Sequence, residues 1–424
     1  MTHISRKDFL KHTLLFAGYL AAVPALAQTG KTKKSVLLRS SWQVENIGDI
    51  GHTPGVLALI EKYLPHVQVR LWPDSVKSGV EEMLMARFPK LKILKSEEDK
   101  QKAILECDFF LHGSGPSLVG RNEMLLWKKT GKPYGIYGIT FPGNYGFQAQ
   151  DRNYNPLDLE LINTASFAYF RDSVSLEFAK QIGAKCPVMG FCPDGAFAVD
   201  VRNDKAADLF LKQHALETGK FVCVIPQLRF SPWWEIKSKQ LPVNQEKQAW
   251  NEKMKEHDNL PIRNAIIEVV RQTDLKVVIV PENETQIRIG KEMLYDPLPE
   301  DVKPRVVWRN RYWLTDEAVS TYARSAGLFG LEMHSPIMCI ALGVPAIVCR
   351  FTEQTSKGYM WQDIGLKEWL FDMDTKEDVE RIVPTVLNMV KNPTASKEKV
   401  KKAQKLVAQY QRDTMKILGE SLKG

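Results

Sequence analysis

The stretch Gly330-Leu-Glu-Met-His-Ser-Pro-Ile-Met-Cys-Ile-Ala-Leu-Gly-Val-Pro345 places a carboxyl, Glu332, two residues from an imidazole, His334. An apolar strand ends there and a short helix begins, with Ser335 as expected N-cap and Pro336 in the first turn. A carboxyl and an imidazole at one strand end can hand protons to and from a bound molecule. They can equally be cap and core. Three further stretches carry residue types suited to a site. Asn46-Ile-Gly-Asp-Ile-Gly-His-Thr-Pro-Gly55, with Asn46, Gly48 and Asp49, reads as a glycine-rich loop whose amides can approach an anion, or as a plain turn capped by Asp49. Gly113-Ser114-Gly115 follows His112 as a second such loop. Phe170-Arg171-Asp172-Ser173 offers a guanidinium for a carboxylate beside a Ser173 cap. Arg229, past the apolar run Phe221–Ile225, is a second candidate cation.

The elements that would position these residues alternate. Ser35–Arg39, Val67–Trp72, Cys107–Leu111 and Pro133–Gly138 read as strands, with amphipathic helices at Gly55–Tyr63, Gly79–Phe88 and Ser173–Ile182. A polar helical stretch, 201–220, interrupts the rhythm. It resumes with strands at Phe221–Ile225, Val277–Pro281, Val306–Trp308 and Ala346–Arg350, and helices at Ile262–Thr273 and Asp316–Ser325. Thr375 onward reads as two basic amphipathic helices. Alternating strand and helix predicts parallel, doubly wound sheets. The expected organisation is α/β: a leader at 1–27, Rossmann-like halves at 28–205 and 206–374, and a helical tail at 375–424. Ligands in such folds bind at the carboxyl ends of strands.

Composition narrows the function classes. Apolar residues at 44% and charged residues at 25% are globular values. The net charge is +8, and residues 1–27 contribute +2 of it, leaving +6 without a dense Lys/Arg run. Nucleic acid is therefore not an expected partner. Ser5–Lys11 is basic, Thr13–Val23 apolar and short, and Ala25-Leu-Ala27 a small-x-small cleavage site. That pattern predicts an exported protein cleaved near Ala27 and destined for the periplasm, with no lipid or membrane anchor. The Ser-Arg-Lys-x-Phe-Leu-Lys segment resembles a twin-arginine signal with Lys7 as its second basic residue, which leaves the export route open. Six cysteines without a Cys-x-x-Cys pair read as buried hydrophobes, although export permits a Cys186–Cys192 bridge. No zinc motif, EF-hand, Walker or dinucleotide fingerprint is present, so no cofactor or metal is expected. Tryptophans around Trp233-Trp234 and at 308, 313 and 361 suit sugar stacking or core packing alike.

Taken together, these stretches resemble the polysaccharide pyruvyl transferase family. Asn46-Ile-Gly-Asp49 resembles its Asn-x-Gly-Asp segment, and Gly113-Ser-Gly115 its glycine turn. Arg171-Asp172-Ser173 through Pro193-Asp194-Gly-Ala-Phe197 resembles its Arg-Asp/Glu…Pro-Asp-x-x-Phe region. Gly330–Pro345 resembles its Arg-x-His…Gly-x-Pro block. The order is preserved across most of the chain. The resemblance implies a GT-B-like pair of Rossmann domains and transfer of pyruvyl from phosphoenolpyruvate onto two sugar hydroxyls.

One departure bears on direction. The resemblance implies an arginine two residues before the histidine, and this chain has Glu332. Exchanging attraction for repulsion toward an anionic donor at roughly 4 Å is worth several kcal/mol at intermediate dielectric. Export points the same way, because phosphoenolpyruvate is cytoplasmic. Hydrolytic removal of a pyruvate ketal needs no such donor. The expected roles are Glu332 as general acid, His334 or Asp49 directing water, and Arg171 or Arg229 clamping the pyruvyl carboxylate. The substrate would be a pyruvylated polysaccharide or oligosaccharide, with galactose one candidate sugar. Transfer from phosphoenolpyruvate, and carbohydrate binding without catalysis, remain the alternatives.

Overall fold

The computed structural model describes residues 33–142 and 153–423; the expected leader lies outside them. Lys34–Gly424 forms one compact unit. Seven strands build a first sheet: β1 (Ser35–Ser40), β2 (Gln68–Pro73), β3 (Lys92–Ile93), β4 (Phe109–His112), β5 (Tyr134–Ile139), β6 (Phe167–Phe170) and β7 (Met189–Phe191). Six build a second: β8 (Phe221–Ile225), β9 (Lys276–Ile279), β10 (Val306–Trp308), β11 (Gly327–Gly330), β12 (Ala346–Arg350) and β13 (Leu370–Asp372). Their orders are β3-β2-β1-β4-β5-β6-β7 and β10-β9-β8-β11-β12-β13. The central pairings β1–β4 and β8–β11 are parallel, as are the flanking ones. Both sheets are thus doubly wound, as the alternation predicts. Continuous apolar strands such as Phe-Val-Cys-Val-Ile (β8) are buried throughout, as covering both faces with helices requires.

Six helices matter below: α1 (Ile47–Tyr63), α2 (Ser173–Gln181), α3 (Gln245–Gln272), α4 (His334–Ala341), α5 (Lys376–Lys391) and α6 (Pro393–Ser421). Helix α3 starts 17 residues before the predicted Ile262. It runs through Pro261, which obscures it in the sequence, and its first part is polar. The C-terminal segment does form two helices. α5 packs on α3, and α6 returns to the first half, where Gly419 meets Leu64 and Tyr410 meets the Phe191 ring edge-on at 4.9 Å. All six cysteines are buried free thiols, Cys186 and Cys192 included. Among the described residues, no helix is long and apolar enough to cross a membrane.

Candidate active site

Each sheet reverses its strand order once, between β1 and β4 and between β8 and β11. Crevices beyond the carboxyl ends of strands at such reversals are the usual ligand sites of open α/β sheets. The stretches at 46–55, 113–115 and 330–335 lie at these two reversals, whereas Arg171 follows β6.

The Asn46–Gly55 stretch is helical, not a loop. Asn46 caps α1, its Oδ1 accepting from Gly48 N (2.7 Å) and Asp49 N (3.2 Å), so these amides are closed to an anion. The Gly113 and Gly115 amides donate to Arg39 O (3.0 Å) and Gly138 O (3.3 Å), which closes the second expected anion loop as well. Gly48 has a different function. A Cβ there would sit 2.2 Å from His334 Nδ1, so only glycine lets the α4 histidine rest against α1. Gly48→Ala is expected to displace the imidazole, cost about 1–3 kcal/mol by overpacking and lower turnover; a crystal structure with His334 unmoved would contradict this.

Around that contact lies a buried polar cluster drawn from both halves. His52 of α1 faces Asp194 through Nδ1 (2.7 Å), and Ser114 Oγ is 2.9 Å from the same nitrogen and accepts from Gly195 N (3.1 Å). Arg171 donates from Nη1 to Asp194 Oδ2 (2.8 Å) and from Nε to Thr140 Oγ1 (2.6 Å). Only 1% of Arg171 is exposed, so its guanidinium is held inside the protein by Asp194 and is not presented as a clamp. The neighbouring α2 is capped by Asp172, which accepts from Ser175 N (2.7 Å), rather than by the expected Ser173.

His334, 3% exposed, meets the His52 ring edge-on at 4.9 Å. Its Nδ1 donates to Glu282 Oε1 (3.1 Å). Glu282 Oε2 accepts from Ser335 N (2.7 Å) and Ser335 Oγ (2.8 Å), and so supplies from another loop the cap expected of Ser335 itself. Asp49 Oδ1 lies 3.7 Å from His52 Nε2, and the Gln43 amide donates to Oδ2.

Glu332 forms the adjoining wall. Its Oε1 accepts from Gln227, just past β8, and from Gln286 (3.0 Å), and Lys357 Nζ is 3.8 Å from Oε2. Glu332 and Lys357 line a cavity of about 520 Å³ together with Gln227, Lys247, Trp233 and Trp234. Trp361 (0% exposed) and Trp313 (2%) are instead core residues. Arg229 also borders the cavity, but Asp258 (2.9 Å), Glu353 (3.0 Å) and Asp374 (2.5 Å) surround its guanidinium. Lys357, which sequence reasoning missed, is the cavity cation nearest Glu332.

Environment separates the protonation states of these groups. Burial, then the charge of Glu282, pushes Glu332 up to about 7. Burial, then Lys357 and His52, pushes His334 well below its ordinary value and favours the neutral ring. Burial opposes charge on His52, yet Asp194 and then Asp49 raise its pKa. Burial likewise opposes charge on Asp49, but His52 and His334 hold its carboxyl well below the usual range. Glu332 can thus carry a proton near neutral pH while Asp49 stays ionised, the division of labour that acid–base hydrolysis uses.

The model of one family, described as polysaccharide pyruvyl transferase, matches residues 46–351, from the Asn46 cap to just past β12. The chain belongs to the polysaccharide pyruvyl transferase family. As a pyruvyl transferase family member it is tied, at family level, to polysaccharide pyruvylation. No curated protein matches it. Among solved structures, the UDP-GlcNAc 2-epimerase of Neisseria meningitidis bound to UDP-GlcNAc is similar, with TM-score 0.54 and 10% identity over 91% of this chain and 100% of that one. The Anabaena protein HepE in complex with UDP-glucose has TM-score 0.53 and 11% identity, covering 92% and 98%. A putative UDP-N-acetylglucosamine 2-epimerase of Listeria monocytogenes has TM-score 0.53 and 12% identity, covering 88% and 91%. At such identity the likeness is one of fold. It places this pyruvyl transferase family member among GT-B-like double Rossmann proteins, as its resemblance implied.

Proposed function

We propose that this family member is an exported hydrolase that removes pyruvate ketals from polysaccharide sugars. The observation that carries the reading is Glu332, a buried carboxyl fixed by two glutamine amides on the wall of an aromatic-lined cavity, where the family resemblance leads one to expect arginine. Sugar rings would rest on Trp233 and Trp234, and Lys357 would hold the pyruvyl carboxylate. Lys357 takes this role in place of Arg171 and Arg229, whose charges are matched within the protein.

Glu332 gives its proton to the departing sugar oxygen as the ketal carbon–oxygen bond breaks. Water directed by Asp49 and His334 attacks the ketal carbon, and the Glu332 carboxylate left by the first step takes its proton. The resulting hemiketal then collapses, which frees pyruvate and the second sugar hydroxyl. One ketal and one water give one pyruvate and one diol. The test is release of free pyruvate from a pyruvylated galactan without phosphoenolpyruvate. Family membership favours transfer as the second reading, and transfer in the same assay would consume that donor.

A further inference from the structure

His52 and His334 share a feature that acid–base chemistry does not require. Each is buried, at 0% and 3% exposure, and each Nε2 lacks a hydrogen-bond partner among the described residues. Interior polar atoms are seldom left so, and two of them on rings whose centroids lie 4.9 Å apart suit a shared ligand. We propose that His52 Nε2, His334 Nε2 and an Asp49 carboxylate oxygen hold a divalent first-row transition metal ion.

Ligand atoms from these three residues lie within 4.8 Å of one another. Metal bonds of about 2.0–2.2 Å set tetrahedral ligand atoms roughly 3.3 Å apart. Asp49 Oδ1 and His52 Nε2, at 3.7 Å, are already near that spacing. Asp49, whose side chain is 16% exposed, has room to adjust to an ion, whereas the histidines are locked.

What locks them is the second observation. The Nδ1 atom of His52 is bound to Asp194 (2.7 Å) and that of His334 to Glu282 (3.1 Å), both carboxylates being fully buried. A metal-ligating histidine characteristically donates its other nitrogen to a carboxylate, which fixes the ring and its tautomer. Here two histidines from different halves are each fixed in that manner, with their rings edge-to-face. Gly48, which must lack a side chain for His334 to reach this place, belongs to the same construction. Two imidazoles and one carboxylate without sulfur suit zinc, manganese or iron(II), and three protein ligands leave a position for water. The site rests on these side chains alone and holds whichever direction the pyruvyl chemistry runs.

The whole chain, stripped with chelator and dialysed, is titrated with Zn²⁺ and Mn²⁺ by calorimetry and with Co²⁺ by visible absorption. We expect one equivalent of at least one of these ions per chain, lost in His334→Gln. Glu282→Gln, which keeps the ligands but loosens one ring, should weaken binding by about 10–100-fold. The control His66→Ala, at an exposed histidine, should bind as the parent does. Circular dichroism checks each variant's fold, and if the buried variants do not fold, the parent's stoichiometry decides. No stoichiometric binding of any of the three ions by the parent, or parent-like binding by folded His334→Gln, overturns the proposal. Because binding is read without turnover, a failed metal titration and a failed hydrolase assay remain separate results.

Discussion

Glu332→Gln is expected to lower pyruvate release by about 10²–10⁴-fold, the usual worth of a positioned general acid, while fold and substrate affinity persist. The amide keeps the Oε1 acceptor that Gln227 and Gln286 bond, so the cavity wall stays in place. It cannot give up a proton to a departing sugar oxygen. It also no longer attracts Lys357, which lies 3.8 Å from Oε2, so that lysine should be at least as available to a substrate carboxylate. The change should therefore fall on kcat and leave KM nearly where it was. A variant that turns over within about tenfold of the parent would remove Glu332 from the proton-transfer step, given the range usual for such groups.

Arg171→Met is expected to strike stability instead. The substitution leaves Asp194, fully buried, without the guanidinium that faces its Oδ2, and strands the Thr140 hydroxyl. Removing one partner of a buried ion pair costs about 3–5 kcal/mol, because the remaining charge stays out of water. His52 remains beside Asp194 and keeps the loss toward the lower end of that range. Urea unfolding measures it directly. A variant of unchanged stability with a raised KM would instead show the guanidinium meeting substrate, and would contradict the structural role assigned here.

The two expectations expose what the sequence can and cannot reveal. Long apolar strands such as β1 and β8 are plain in their composition, and so is the alternation that makes both sheets parallel. Strands β3, β7 and β13 have only two or three residues each and leave no periodic signal. At the site, the strand-end rule finds Glu332 and His334 because they lie next to β11 in the chain. The same rule applied after the predicted strand ending at Pro281 would have raised Glu282, and after β12 it would have raised Lys357. His52 stands inside the quoted Asn46–Gly55 stretch, but its importance comes from Asp194, 142 residues away. Arg171 illustrates the converse. Its residue type suits a carboxylate, and the carboxylate it meets is the protein's own. Which partner a buried charge finds depends on how strand ends from different parts of the chain converge, and local patterning does not carry that.

The most direct test of the central claim is a time course of free pyruvate from a pyruvylated galactan incubated with the purified chain, with and without phosphoenolpyruvate. The account predicts steady pyruvate release that is independent of the donor, with no phosphate produced from it. Donor-dependent phosphate release and growing pyruvylation of a stripped galactan would contradict it and mark the chain as a transferase. Saturable binding of the polysaccharide with neither product would contradict it as well, and mark a carbohydrate-binding protein.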